Sequence, residues 1–486
     1  MTIDIPEESI LPDGFALYWT KKADAAEYAV IVDDVEAVKT SRLEATLSGL
    51  APGLDHLVKV EALDADGRRI AVSPPRRIHL PDPFQEVDVR DLGVRGDGSV
   101  ETAPIQSAID ACAASSKTLV FPEGVWRTGA LFLKSGSSIR LAKGAVLRGS
   151  GDPADYPPFM YRYEGCEKLN HASLLNTPPG NEPLHDIRLF GEGEVDANGA
   201  ELFRPEENGG VANRGSAICL RHVSRLLIQG ISIREAAFWC LHPVYCDHVT
   251  INRVSICNRT DKAGEFYGLH NGDGIDIDSC RDVAILQCRV ESQDDCISVK
   301  SGRDDEGRRV GVPSERVIIS GCEFHYGFGI AIGSETAGGI YDVLVRNCSF
   351  RDSYSIASLK NKRVRGGHIE RITYEDCSLV NEYPGIREMC WFRGAIYADQ
   401  FYGDETYDAA APKPVDNGTP YIGKITMRNI SLRSLYGKAI YICGLPERHI
   451  DGFVLENVTA QGLTGMVARN VDGLEMRNVS VACLGE

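Results

Sequence analysis

The amino-acid sequence predicts an all-β protein: a right-handed parallel β-helix over residues 84–486, preceded by a small β-sandwich over residues 1–83. Three observations carry this expectation. A strand template recurs nine times from residue 226 onward, short alternating strands fill the first eighty residues, and a Pro-rich segment separates the two regions. At 486 residues the chain is long for one compact core, and an elongated repeat resolves that difficulty. With 43% hydrophobic and 25% charged residues, a mostly disordered chain is excluded.

The strands of the first region read as Phe15–Trp19, Tyr28–Val32 and Leu57–Leu63, each alternating apolar and polar residues and closed by Asp, Gly or Pro. The run Leu47–Gly53 followed by a strand resembles a fibronectin type III module, with His56 and Leu57 where that family usually carries a strand-initiating tyrosine. The segment from Ser73 to Pro83, which holds Pro74, Pro75 and Pro81, is the candidate linker.

The template's nine copies begin at Leu226, Val249, Val283, Val317, Val343, Ile372, Ile425, Phe453 and Leu474. Positions one, three, six and eight are mostly apolar, so two short strands point alternate residues inward across a tight bend. The fifth position is Asn in four copies, Asn347, Asn429, Asn457 and Asn478, a residue that tolerates the left-handed backbone such a bend requires. Start-to-start spacings of 23, 34, 34, 26, 29, 53, 28 and 21 residues suit solenoid turns with loops inserted on the longer rungs. The largest insertion lies between residues 380 and 424.

Cys288, Cys322, Cys348 and Cys377 all occupy position six, so they should stack inside the solenoid as small apolar core residues. The fifteen cysteines form neither a CxxC pair nor a Cys/His cluster with metal spacing, and free thiols in a reducing compartment are expected. Residues 103–112 have the helical spacing Ile105, Ala108, Ile109 and Cys112, and should cap the N-terminal end of the solenoid.

The net charge of −17 argues against a nucleic-acid partner, because phosphate binding draws on Lys and Arg patches. No stretch approaches a membrane span, and the N-terminus shows neither the basic start nor the apolar run of a signal peptide. The expected location is the cytoplasm, or outside it if a leader has been removed. The oligomeric state is left open. An acidic substrate would need local cations to hold it against this overall charge.

Asn271-Gly-Asp-Gly-Ile-Asp276 precedes the rung at Val283, and Gln293-Asp-Asp-Cys296 follows its second strand. Asp273, Asp294 and Asp295 should therefore converge from neighbouring turns of one face. Like charges at short range raise at least one pKa, which suits an enzyme that needs one carboxylic acid and one carboxylate. Glycosidases divide the work in this way, and inverting ones hold the two carboxyls roughly 6.5–9.5 Å apart. A Ca2+ site or a solvated turn is the bland alternative.

At this point the sequence resembles the polygalacturonase family, glycoside hydrolase family 28, over nearly all of residues 86–486. Asn271-Gly-Asp273 is similar to the family's Asn-Thr-Asp motif and Asp294-Asp295 to its Asp-Asp motif, at the family's separation of 21 residues. Leu92–Gly98, Phe238–Pro243 and Ile332–Glu335 are further matches. The resemblance implies an inverting hydrolase without cofactor or metal, in which Asp294 is the general acid and Asp273 and Asp295 activate water.

Two positions depart from the family pattern. Its Gly-His-Gly stands here as Gly327-Phe328-Gly329, and its Arg-Ile-Lys as Ser358-Leu359-Lys360. Lys360 carries over as a substrate-binding candidate, joined by Lys300, Asn271, Arg363 and Arg365. Arg303, Arg308, Arg309 and Lys362 lie in the same two basic loops. Phe328 is either a platform for a sugar face or pocket packing, and His270 or His325 could stand in for the missing histidine. The leading expectation is an exo-acting hydrolase releasing galacturonate from acidic oligosaccharides. The alternatives are a rhamnogalacturonan-type or other uronide linkage, a non-catalytic carbohydrate-binding solenoid, and a Ca2+-dependent lyase.

Overall fold

The computed structural model describes residues 1–202, 214–258, 270–382, 392–403 and 411–484. The solenoid is a parallel β-helix with in-register ladders, Val283 beside Val317 and Val317 beside Val343, for example. The template's two strands build one long wall. A second wall stacks 11 strands, among them Leu241–Val244, Ile275–Asp278, Ile297–Lys300, Ile330–Ile332, Ala357–Lys360 and Gly394–Asp399.

The bend between the template strands explains its fifth position. All nine residues there have left-handed backbones, including Gly230, Arg253, Gln287, Gly321 and Asp376 as well as the four asparagines. Asn adds more than conformational tolerance. Asn478 donates to Asn457, Asn457 to Asn429 and Asn429 to Asp376, each at 2.9 Å, a ladder running along the solenoid edge. Replacing Asn457 with Ala keeps the strained φ but cuts two rungs, and is expected to cost about 1–2 kcal/mol in urea unfolding.

Cys288, Cys322, Cys348 and Cys377 are buried in the core, as their position in the repeat predicts. The helix Thr102–Ala114 closes the N-terminal end with Ile105, Ala108, Ile109 and Cys112 turned inward. No helix among the described residues is long and apolar enough to cross a membrane.

Residues 3–79 form two antiparallel sheets around their own apolar core, which includes Phe15, Trp19, Val30 and Val60. The candidate linker is partly a strand: Arg76–His79 pairs with Asp55–Val58, and Ile78 and Leu80 are buried. The two prolines before it lie outside the ladder, so they end one strand without blocking the next. This module docks on the long wall through buried and half-buried polar contacts. Thr250 donates to Glu8 at 2.6 Å, Ser320 to Glu44 at 2.5 Å and Thr46 to Gln287 at 2.8 Å. Burial pushes both glutamates up from the usual carboxylate range.

Candidate active site

Successive rungs of the second wall place the three aspartates together. Asp273 stands just before strand Ile275–Asp278, and Asp294 and Asp295 just before the adjacent Ile297–Lys300, in the register Asp278 beside Lys300. The turns are tight enough to demand glycine twice. A Cβ on Gly274 would lie 2.4 Å from the Cys296 carbonyl oxygen, and one on Gly327 would lie 2.2 Å from that of Asp294. One carboxylate oxygen from each of Asp273, Asp294 and Asp295 falls within 4.8 Å of the others. That is shorter than the roughly 6.5–9.5 Å expected of an inverting pair. The extra approach comes from consecutive residues on one turn facing a third on the next.

The three carboxyls differ in environment. Asp295 is buried, and Lys360 Nζ donates to both its oxygens at 2.6 and 2.9 Å. That ammonium also lies 5.3 Å over the Phe328 ring and 5.7 Å over Tyr402. Asp294 is half-buried and has no ion pair among the described residues. Burial and the charge of Asp295 push its carboxyl up to about 6, although Lys360 and Lys300 pull the other way. Asp273 is also raised, by burial and then by Asp276 and Asp294, while Lys300 pulls the other way.

Lys300 is the second buried cation. Its Nζ lies 3.2 Å from Glu335, 3.5 Å from Asp276 and 4.0 Å from Asp273, and 4.6 Å over the Trp239 ring. Burial opposes the charge on Glu335, but Lys300 and Arg365 outweigh it and hold that carboxyl down to about 2. Glu335, Asp276 and Trp239 stand in quoted motifs, yet their roles were not legible: nothing in the sequence shows that three rungs share one ammonium.

The other candidates fall into distinct places. Asn271 is half-buried with φ +58° at the turn leading to Asp273. Phe328 is 6% exposed and packs against Tyr354 at 4.6 Å and Phe392 at 5.9 Å, a packing role; its N–H donates to the Asp294 carbonyl. Ser358 is buried and hydrogen-bonds Ser355. Arg365 spans Glu335 at 3.6 Å and Asp304 at 2.9 Å, one layer behind Lys300. Arg363 binds Glu447 at 2.7 and 2.9 Å instead of any of the three aspartates. His325 lies on the long wall beside Glu291 and Arg351, away from this face, and His270 is exposed.

A hairpin absent from the sequence reading, Phe159–Tyr163 paired with Cys166–Asn170, lies across the outer face on the N-terminal side of the cluster. Arg162 donates to Asp278 at 2.8 Å and Ser279 at 2.7 Å, and Tyr163 stacks on Phe238 at 4.4 Å. At its tip the Gly165 carbonyl accepts from the Arg303 N–H at 2.9 Å. The insertion at residues 380–424, singled out from the sequence, falls partly outside the described residues.

A solenoid wall carrying a raised carboxylic acid beside lysine-held carboxylates defines an acid–base enzyme built on a parallel β-helix. The chain belongs to glycosyl hydrolases family 28, whose profile matches residues 182–471, more than half of it, and it is a glycoside hydrolase. It is 26% identical over 490 aligned residues to the exo-poly-alpha-D-galacturonosidase of Dickeya chrysanthemi, covering 90% of this chain and 78% of that one. Its fold superimposes on the Yersinia enterocolitica family 28 exopolygalacturonase with a TM-score of 0.80 at 20% identity, covering 99% and 96% of the two chains. For the hyperthermoactive exopolygalacturonase of Thermotoga maritima the TM-score is 0.66 at 25% identity, over 82% and 93%.

Proposed function

We propose that this enzyme removes galacturonate from the end of α-linked galacturonate oligomers with inversion at the anomeric carbon. The observation that carries the reading is the contrast within the carboxylate cluster: Asp294 raised to about 6 with no ion pair among the described residues, beside Asp295 clamped by Lys360. Asp294 protonates the leaving oxygen, and Asp273 and Asp295 together deprotonate the attacking water. Lys360 and Lys300 balance charge so that an anionic sugar can enter, and Asn271 and Phe328 shape the floor beside them. Arg365 supports Lys300 through Glu335, and Arg363 holds the neighbouring wall. The hairpin at residues 159–170 supports end-on action, since it covers the face on one side of the cluster. The N-terminal module serves as a fibronectin type III-like brace.

The pH dependence follows from the acid. Asp294 must carry a proton to act, and its raised pKa keeps it protonated up to about 6. As pH rises through that value, kcat/KM is expected to fall about tenfold per unit, read from initial rates across a pH series.

Chromatography of products from galacturonate oligomers of defined length, beside rhamnogalacturonan fragments, tests the reading. Monomer released from the first time point, without mid-length fragments, is the expected result. Mid-length fragments would refute exo action. Silence on galacturonate with cleavage of the mixed fragments would mean that Phe328 and Ser358 mark another sugar. Loss of activity with a chelator, and a product absorbing in the ultraviolet, would indicate a lyase instead.

A further inference from the structure

The Lys300 ammonium stands among more carboxylates than it binds. Glu335 alone lies within hydrogen-bond distance, at 3.2 Å, and Asp276 and Asp273 follow at 3.5 and 4.0 Å. A fourth carboxylate lies beside it. Asp278 is the register partner of Lys300 on the adjacent strand, and each follows a core residue, Ile277 and Val299. Both side chains therefore leave the same outward face, from backbones about 4.8 Å apart. Lys300 could reach along the ladder to Asp278, yet its Nζ is turned toward Asp276 and Asp273.

Arg162, from the hairpin at residues 159–170, holds Asp278 instead. Its Nη1 donates to Asp278 at 2.8 Å and to Ser279 at 2.7 Å, and its guanidinium lies 4.4 Å over the Tyr245 ring, with Glu167 at 3.9 Å. Among the described residues no other Lys or Arg lies within 4 Å of Asp278. Its second oxygen is buried without a hydrogen-bond donor, and His242 faces it at 3.5 Å. Burial lowers the His242 pKa, so that ring is neutral and supplies no charge. Asp278 thus has one open acceptor and one cation, and the cation comes from outside the repeat. Without Arg162, a carboxylate at 0% exposure needs another countercharge. Lys300 is beside it in the register, and Glu335 would keep Arg365 as its own second partner at 3.6 Å.

We propose that Arg162 is a positioning residue for catalysis: by occupying Asp278 it keeps the Lys300 ammonium on the side of Asp273, so that the hairpin sets the charge of the site as well as covering one side of it. This rests on the reading of Lys300 as the cation that serves the aspartate cluster. Arg162 acts through Lys300 and exchanges no proton in the reaction.

The test is the pH profile of kcat/KM in R162Q, R162Q/D278N and R162K, with K300M alongside. R162Q keeps a donor for Asp278 and drops the charge, and its rate is expected to fall about 100-fold. Burial raises the carboxyls of Asp273 and Asp294 and Lys300 pulls both down, so its departure should move both limbs of the profile up, by about one pH unit. Water entering past a loosened hairpin would relieve burial and move them down. R162Q/D278N has neither the ion pair nor the surplus charge, and should return to within about threefold of the original rate. R162K keeps the charge and gives up the bond to Ser279, so faster exchange of the hairpin amides with both limbs in place is expected; this variant carries the test if R162Q fails to fold. Limbs unmoved or lowered in R162Q, limbs raised in R162K, or R162Q/D278N as slow as R162Q would each overturn the proposal. R162Q at the original rate beside a slow K300M overturns this proposal alone, whereas K300M at the original rate overturns the reading of Lys300 beneath it.

Discussion

D294N is expected to lower kcat on galacturonate oligomers by about 10^3- to 10^4-fold while leaving KM close to its original value. The loss falls on the chemical step because the substitution removes the proton donor and little else. Asn retains an oxygen to accept the Asp295 N–H, which Asp294 Oδ1 now accepts at 2.9 Å. Two further readouts separate an acid from a merely structural residue. The alkaline limb near pH 6 should disappear. A galacturonide whose leaving group departs without protonation should also be cleaved with a much smaller loss. Full turnover by D294N would leave the mechanism without its acid, since no other carboxyl in the cluster is both raised and free of an ion pair among the described residues.

R162M carries the second large expectation. Arg162 and Asp278 are 2% and 0% exposed, and the guanidinium outweighs burial to hold the Asp278 carboxyl well below the usual range. Removing one partner of a buried pair leaves an uncompensated charge and costs about 3–5 kcal/mol. The loss should concentrate in the hairpin at residues 159–170, whose Arg162 forms its buried ion pair with the solenoid, alongside polar contacts at Gly165, Glu167 and Asn170. Hydrogen exchange should show the hairpin amides opening while the solenoid ladders stay protected. Products of intermediate length should then appear from longer oligomers. The double variant R162M/D278N should regain part of the stability, because neutralising Asp278 removes the stranded charge. An R162M protein with unchanged hairpin protection would contradict the view that this ion pair anchors it.

Much of the fold was legible because its signal is periodic. Alternation identified the strands, and the fifth template position marked the left-handed bend that all nine copies adopt. The three aspartates were legible for the same reason: the repeat fixes which loops are neighbours. What the sequence concealed lies between rungs or outside the repeat. The hairpin has no template, and its Arg162 meets a partner 116 residues away. The basic loops illustrate the limit from the other side. Eight cations in sequence proximity to the motifs look equivalent, yet Lys360 and Lys300 point into the cluster, Arg365 stands behind Glu335, and Arg363 turns to Glu447. Spacing locates a backbone, and only packing decides where a long side chain ends. The strand Arg76–His79 was hidden by flanking prolines that usually signal a linker.

The close approach of the three carboxyls bears on stereochemistry. Oxygens within 4.8 Å of one another lie nearer the spacing of about 5 Å found in retaining glycosidases than that of inverting ones. Inversion here requires that water sit beside the pair formed by Asp273 and Asp295, on the sugar face opposite the departing oxygen, instead of on a line between two distant carboxyls. Lys360 favours this division, because both oxygens of Asp295 are occupied as acceptors and neither is left as a bare nucleophile. Proton NMR of the first product formed from an α-linked galacturonate oligomer, recorded before the anomers equilibrate, decides the point. β-Galacturonate as the initial product is the expected result and supports water attack with Asp294 as the acid. α-Galacturonate as the initial product would contradict it and make one of the two other aspartates a nucleophile.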